Sequence, residues 1–234
     1  MTELRSGEAA SIQAVIFDLN GLIVDSETPE YLAWQAIHAQ HGWPFPIESW
    51  RRNIGRNDSP FDPLARFRAP DSPMAPDAAR ALWREHHARL EPDFLRPLPG
   101  VVALLESVRA HRLRTAVAST SRRARVLELL GRLGLADEFE AVAGGDEVPR
   151  AKPAPDVYRL AASRLEVAER ACVALEDSES GVRAAKAAGM WCIAVPSALT
   201  RGMDFRTADL VVPSLLEVSV ETILALPHGV RRGG

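Results

Sequence analysis

The sequence predicts an α/β protein, a doubly wound parallel sheet with an α-helical cap domain inserted near its start. Three observations predict it. From Val101 onward, short apolar runs of strand type alternate with helical stretches, the rhythm of right-handed crossovers with helices on both faces of a sheet. Between Ser26 and Leu95 that rhythm stops, and helical pattern and prolines replace strands. Finally, Asp18, Ser119, Lys152 and the pair Glu176-Asp177 each follow a different predicted strand. One parallel sheet would deliver all of them to its carboxyl edge, where open α/β sheets place their sites.

The first strand is the apolar run Ile12 to Phe17, closed by Asp18 and followed by Leu19-Asn20-Gly21. In the insertion, Glu30 to His41 reads as an amphipathic helix ended by Gly42, and Ala75 to Leu90 as a second, preceded by Pro73 and Pro76. A proline-broken stretch separates them, and Ser26 to Pro29 and Glu91 to Pro99 are the expected hinges. Val101 to His111 then places Val101, Leu104, Leu105 and Val108 at helical spacing. Thr115 to Ala118 is a strand, Arg122 to Arg132 a helix, and Phe139 to Ala143 a strand running into Gly144-Gly145. Pro155 to Leu165 is a helix opened by a proline, which has no N–H to leave unpaired in the first turn. Ala171 to Leu175 is a strand, Ser180 to Ala188 a helix stopped by Gly189, and Trp191 to Val195 and Leu210 to Val212 the last strands. The core therefore takes residues 12–25 and 96–227 and the cap residues 26–95, with 1–11 and 228–234 expected to be flexible.

The bulk properties exclude several function classes. A chain of 234 residues fits one large domain or a core with an insertion, and 47% hydrophobic with 25% charged residues is an ordinary globular composition. A net charge of −3 leaves no basic footprint for nucleic acid. No apolar run approaches the ~20 residues that span a bilayer, and the polar start lacks the apolar segment of a secretion signal. Cys172 and Cys192 lie in strand-like runs and read as buried reduced thiols, with the cytoplasm as the expected compartment. The histidines show no metal-ligand constellation, and the neighbours His86 and His87 are expected at the surface. The chain is expected to be a monomer or weak dimer.

Four segments carry chemistry, and each has a bland reading beside the functional one. Asp18 at a strand end is a candidate nucleophile toward phosphorus, or merely structural. Ser119-Thr120-Ser121 ahead of a helix offers hydroxyls and N–H groups to a phosphate, or simply caps the helix. Lys152, held extended by Pro153, can neutralise phosphate charge or sit idle on the surface. Glu176-Asp177 suits the hard oxygen coordination of Mg²⁺, or provides the acidic start that a helix dipole favours. Their order along one parallel sheet favours the functional reading for all four together.

These segments, Asp18-Leu19-Asn20-Gly21 through Asp25, then Ser119, Lys152 and Glu176-Asp177, resemble the four motifs of the haloacid dehalogenase-like hydrolases. The resemblance covers about Ile12 to Leu216 and is closest to the β-phosphoglucomutase and sugar-phosphatase branch, which carries a helical cap after its first motif. It implies a Rossmann-like core and a Mg²⁺-dependent phosphatase acting through an aspartyl phosphate, with a small phosphorylated metabolite as its partner. Asp18 would be nucleophile and metal ligand, position 20 would offer its backbone carbonyl to the metal, and Asp177 would complete the site with help from Glu176. Ser119 and Lys152 would hold the transferring group, with the N–H of Thr120 as a further donor.

The chain departs from that family at Asn20, where an aspartate would protonate the leaving oxygen and later activate water. An amide does neither. Loss of general acid–base help costs ~10²–10⁴-fold in rate, so the chain as written should be a poor phosphatase that still binds. Three accounts fit: an Asp-to-Asn change introduced to trap a complex, which the intact remainder of the site favours; a natural protein that binds a phosphorylated ligand without turnover; or a neighbouring acid, Glu27 or Glu30, standing in. The histidine of the mutase type falls at Glu30, which favours a phosphatase over a mutase. Dehalogenation, which needs no metal, fits Lys152 and Glu176-Asp177 less well. Arg51, Arg52 and Arg56 lie where the branch places its specificity loop; Arg56 beside Gly55 is the candidate contact to a substrate anion, and Glu27 a candidate substrate contact.

Overall fold

Alternate strand residues face two different layers, and that alternation builds the core. In a computed structural model describing residues 11–56 and 60–228, six parallel strands run in the order β3-β2-β1-β4-β5-β6. They are β1 (Ala14–Phe17), β2 (Arg114–Ala118), β3 (Ala141–Ala143), β4 (Cys172–Glu176), β5 (Trp191–Ala194) and β6 (Leu210–Val211). Val15 and Phe17 enter a layer rich in leucine and valine, with α4 (Val101–Ala110), α5 (Arg123–Arg132) and α8 (Val220–Ala225). Ala14 and Ile16 enter the opposite layer, where α6 (Asp156–Arg164) and α7 (Glu179–Ala188) pack mostly through alanines. The layer is thin in side-chain volume, so these two helices lie close to the sheet. The doubly wound parallel fold is as the sequence predicts.

Register sets the site. Phe17 is level with Val117 on one side and Leu175 on the other. The chain steps from β1 out to β2 and β3, then returns to the other flank of β1 for β4 to β6. Asp18 therefore emerges at the point where the winding reverses, between the ends of β2 and β4.

The insertion contains α1 (Glu27–Gln40), α2 (Ile47–Arg51), a 3₁₀ turn at Ala65–Arg68 and α3 (Pro76–Phe94). The sequence pattern misses α2 and the turn, which are too short to show a period. The hinge expected from Glu91 is helical as far as Phe94, because Leu95 still donates to the Glu91 carbonyl at 2.9 Å despite Pro92 inside the last turn. The helices form a second cluster, with Tyr31, Trp34, Ile37, Phe45, Trp50 and Phe67 buried and Leu199 of the core joining it. Trp34 stacks on Trp83 at 5.6 Å. That contact corrects the surface placement of His87: one turn beyond Trp83 it shares the inward side of α3, and both His86 and His87 are half-buried.

The expected flexible termini fall, at residues 1–10 and 229–234, outside the described residues. Among those described, no helix is long and apolar enough to cross a membrane. Cys172 and Cys192 are both buried and unbridged.

Candidate active site

The turn after β1 makes the first contact between strands of the site. Gly21 takes φ +81°, and a Cβ there would lie 2.1 Å from Asp177 Oδ2, so only glycine lets this turn pass against the end of β4. The Asp18 N–H donates to the Leu175 carbonyl at 3.0 Å and the Ser119 N–H to the Ala143 carbonyl at 3.0 Å, which fixes both residues through the backbone.

Lys152 reaches into the middle of the cluster and is 1% exposed. Its Nζ donates to Asp18 Oδ1 and Glu176 Oε1, each at 2.6 Å, and to the Ala118 carbonyl at 2.9 Å. Burial alone would lower its pKa, but the two carboxylates outweigh burial and raise it, so the ammonium stays charged. Glu176 is saturated: Oε1 also accepts from the Tyr158 hydroxyl at 2.6 Å, and Oε2 from the Ser178 hydroxyl and the N–H groups of Asp177 and Ser178. Asp177 contrasts with it, since among the described residues its buried Oδ2 has no hydrogen-bond partner.

Asp18, Glu176 and Asp177 bring one oxygen each within 4.8 Å of one another. Two ligands across an octahedral Mg²⁺ at ~2.1 Å lie ~4.2 Å apart, so small side-chain motion would seat one ion. Three carboxyls against one ammonium leave the cluster short of positive charge. Burial pushes Asp18 up to about 7 against the pull of Lys152, and raises Asp177 well above its usual range, with the neighbouring Asp18 and Glu176 charges adding to the rise. The partnerless Oδ2 and the hard oxygen donors fit a divalent ion.

The Asn20 side chain is held in a neutral network. Its Nδ2 donates to the Ser121 hydroxyl at 2.9 Å and more weakly to Ser119 at 3.5 Å, and its Oδ1 accepts from the Ser26 hydroxyl at 2.8 Å. Asn20 also borders a cavity of about 190 Å³ beneath the cap, together with Glu27, Glu30, Arg56, His87, Glu91, Thr120, Ser121 and Arg125. The structure thus gathers Asp18, Lys152, Glu176 and Asp177 in the buried cluster and Asn20, Glu27, Arg56 and Thr120 at this cavity, with the Ser119 hydroxyl 3.5 Å from Asn20. Arg51 and Arg52 are not part of it. They line a separate cleft of about 570 Å³ that Arg56 also borders, and Arg51 donates to the Leu199 carbonyl at 2.6 Å.

Burial pushes Glu27 up to about 8, with Glu30 adding to the rise, and pushes Glu30 up to about 7 against the pull of Arg125. The cap closes over the cavity through Gly55, whose carbonyl accepts from the Ser180 hydroxyl at 2.9 Å. A Cβ on Gly55 would come within 2.5 Å of the hydroxyls of Ser178 and Ser180. Sequence reasoning misses Ser26, Tyr158, His87, Glu91 and Arg125. Ser121 was in plain view as the third hydroxyl of its run, whereas Tyr158 gives no signal beyond being an apolar position of α6.

Comparison with known proteins agrees with this geometry. A family model described as haloacid dehalogenase-like hydrolase matches residues 12–189. The chain belongs to that family. YhcW of Bacillus subtilis, named as a phosphatase, is 37% identical over 91% of this chain and 96% of its own length. The β-phosphoglucomutase of the same organism is 31% identical over 91% of this chain and 94% of its own. Among solved structures, an aspartate-to-asparagine mutant of CbbY from Rhodobacter sphaeroides, in complex with xylulose-(1,5)-bisphosphate, superposes with a TM-score of 0.67. It is 31% identical over 88% of this chain and 96% of that one.

Proposed function

We propose that the chain is a Mg²⁺-dependent hydrolase of small phosphate monoesters of the sugar-phosphate type, working through an aspartyl phosphate on Asp18 and slowed by Asn20. The observation that carries this reading is the buried Asp18–Lys152–Glu176 triad beside the partnerless oxygen of Asp177. The names and bound sugar bisphosphate of the relatives support the substrate class.

Asp18 and Asp177 would hold the ion, with the Asn20 carbonyl and Glu176 assisting; when bound it would offset charge on the phosphoryl oxygens. Lys152 fixes the Asp18 carboxylate and turns its own positive charge toward the same place. An Asp18 oxygen bonds to phosphorus as the ester P–O bond breaks, and the leaving oxygen takes a proton. Water then attacks the same phosphorus, returning the Asp18 carboxylate and releasing phosphate. Ser119 and Thr120 would hold the transferring phosphoryl group. Both proton transfers need an acid–base group near position 20. The Asn20 amide, tied to Ser26 and Ser121, supplies none.

The test is Asn20→Asp, assayed with Mg²⁺ and a hexose 1-phosphate. The expected outcome is a rise in phosphate release of ~10²–10⁴-fold, with free sugar as product. Appearance of hexose 6-phosphate would make the chain a mutase. A rate that stays near zero would leave it a phospho-ligand binder.

A further inference from the structure

Lys152 is a buried cation shared among three acceptors, and a side chain outside every motif segment bears on how they share it. The ammonium has three N–H groups, and all are used, on Asp18 Oδ1, Glu176 Oε1 and the Ala118 carbonyl. The two carboxylates lie at the same distance, 2.6 Å, so Lys152 stands evenly between Asp18 and Glu176. That balance is not automatic. Glu176 is fully buried, and its Oε2 is taken by the Ser178 hydroxyl and two N–H groups, which leaves Oε1 to pull on the lysine. Tyr158, also fully buried and on the helix that follows Lys152, meets this pair twice. Its hydroxyl donates at 2.6 Å to Glu176 Oε1, the oxygen that Lys152 uses. The Lys152 Nζ also lies over its ring, 4.9 Å from the centroid, inside the ~6 Å reach of a cation–π contact. Around Tyr158 the helix is apolar, with Val157, Ala161 and Ala162 buried, so packing alone would be met by phenylalanine.

We propose that Tyr158 is a positioning residue for Lys152: its hydroxyl shares the Glu176 oxygen and its ring backs the ammonium, which keeps Lys152 on Asp18. This rests on the phosphatase reading above and adds to it a residue that does not itself touch the substrate. An oxygen that accepts from two donors holds each less tightly, so the hydroxyl weakens the pull of Glu176 on the lysine. The ring offers the cation a face with no acceptor in its plane of contact, and so adds no rival to Asp18. Without the hydroxyl, Glu176 would draw the ammonium toward itself and away from the carboxylate that is to attack phosphorus.

The sequence makes the test direct, because Lys152 and Lys186 are its only lysines. Nitrogen-15 labelling of lysine therefore confines the ammonium NMR spectrum to those two groups, and Lys186→Arg assigns them. Tyr158→Phe keeps the ring and removes the hydroxyl. It is expected to move the Lys152 signal and, with Asn20→Asp in both chains, to lower kcat on a hexose 1-phosphate by about 10- to 100-fold, the scale of a misplaced catalytic group. Mg²⁺ affinity, measured by calorimetry with the metal alone, should not change. Tyr158→Leu, which removes the ring as well, should move the signal further. Ile223→Ala, buried on α8 in the leucine-rich layer, lowers stability without touching the pair and should leave both signal and kcat in place. A Lys152 signal unmoved by Tyr158→Phe, a kcat that holds, or a loss of kcat that Ile223→Ala reproduces overturns the proposal and leaves the phosphatase reading standing. A loss of Mg²⁺ affinity in Tyr158→Phe overturns it too, since the hydroxyl would then serve the ion. Absence of phosphate release from Asn20→Asp itself overturns the phosphatase reading, and the role of Tyr158 falls with it.

Discussion

The floor of the site and its roof are built on different principles. On the floor, Asp18, Ser119 and Glu176-Asp177 stand at the ends of strands whose positions are set by ladder hydrogen bonds, and Lys152 reaches in from a loop beyond β3 to hydrogen-bond Asp18 and Glu176. In the roof, helices α1 to α3 are placed by contacts among tryptophans, phenylalanines and aliphatics, and polar atoms are left over, including the buried Trp50 Nε1 and His41 Nε2. Backbone pairing fixes residues to fractions of an ångström whatever the side chains, whereas aromatic packing can be re-solved by many sequences. The charged cluster thus sits where position is least negotiable, and the aromatic packing where it is most so.

The sharpest way to break the floor is Lys152→Met. It leaves Asp18 and Glu176 buried side by side without their cation, and removing one partner of such a group costs about 3–5 kcal/mol. Denaturant melts should show the loss, and Mg²⁺ should restore part of it in the variant more than in the parent. The matching lesion in the roof is Ile37→Ala, at a fully buried position, expected to cost about 2–5 kcal/mol. Since Ile37 lies in the cap cluster, outside the acidic group at the sheet edge, orthophosphate affinity should hold; a large loss of affinity would mean that roof and floor are not independent. Tyr158→Phe takes one donor from Glu176 and should cost about 1–2 kcal/mol, less than Lys152→Met because the other donors remain.

The smallest expected effect lies at the edge of the sheet. Glu147 accepts from Arg164 and from the Gly144 N–H, and the guanidinium holds its carboxyl down at about 2. A carboxyl with a lowered folded-state pKa stabilises the protein above its ordinary value near 4.5, and that contribution fades as pH falls from there toward 2. Glu147→Gln should cost under about 1 kcal/mol near neutrality and flatten this part of the acid-denaturation curve. An unchanged curve would show that the pair contributes nothing.

The same contrast explains what the sequence discloses. Asp18, Ser119, Lys152 and Asp177 were legible because a parallel sheet turns order along the chain into neighbourhood at one edge. The strands themselves were legible as apolar runs between glycines. His87 was misplaced, and Glu91, Arg125 and Tyr158 went unnoticed, because their positions follow from how α3, α5 and α6 pack, and no local pattern encodes that. The short helix α2 was invisible for a simpler reason: five residues cannot display a 3.6-residue period.

The alanine-lined side of the sheet has one more consequence. Because α6 rides so near the strands there, Tyr158 can touch Glu176 and through it Lys152. An added methylene at Ala161 or Ala162, well away from any ligand, would tilt that helix and shift the lysine. Evolutionary tolerance should therefore be lopsided: the leucine-rich side can drift, while the alanine side is held by its contact with the buried charged cluster.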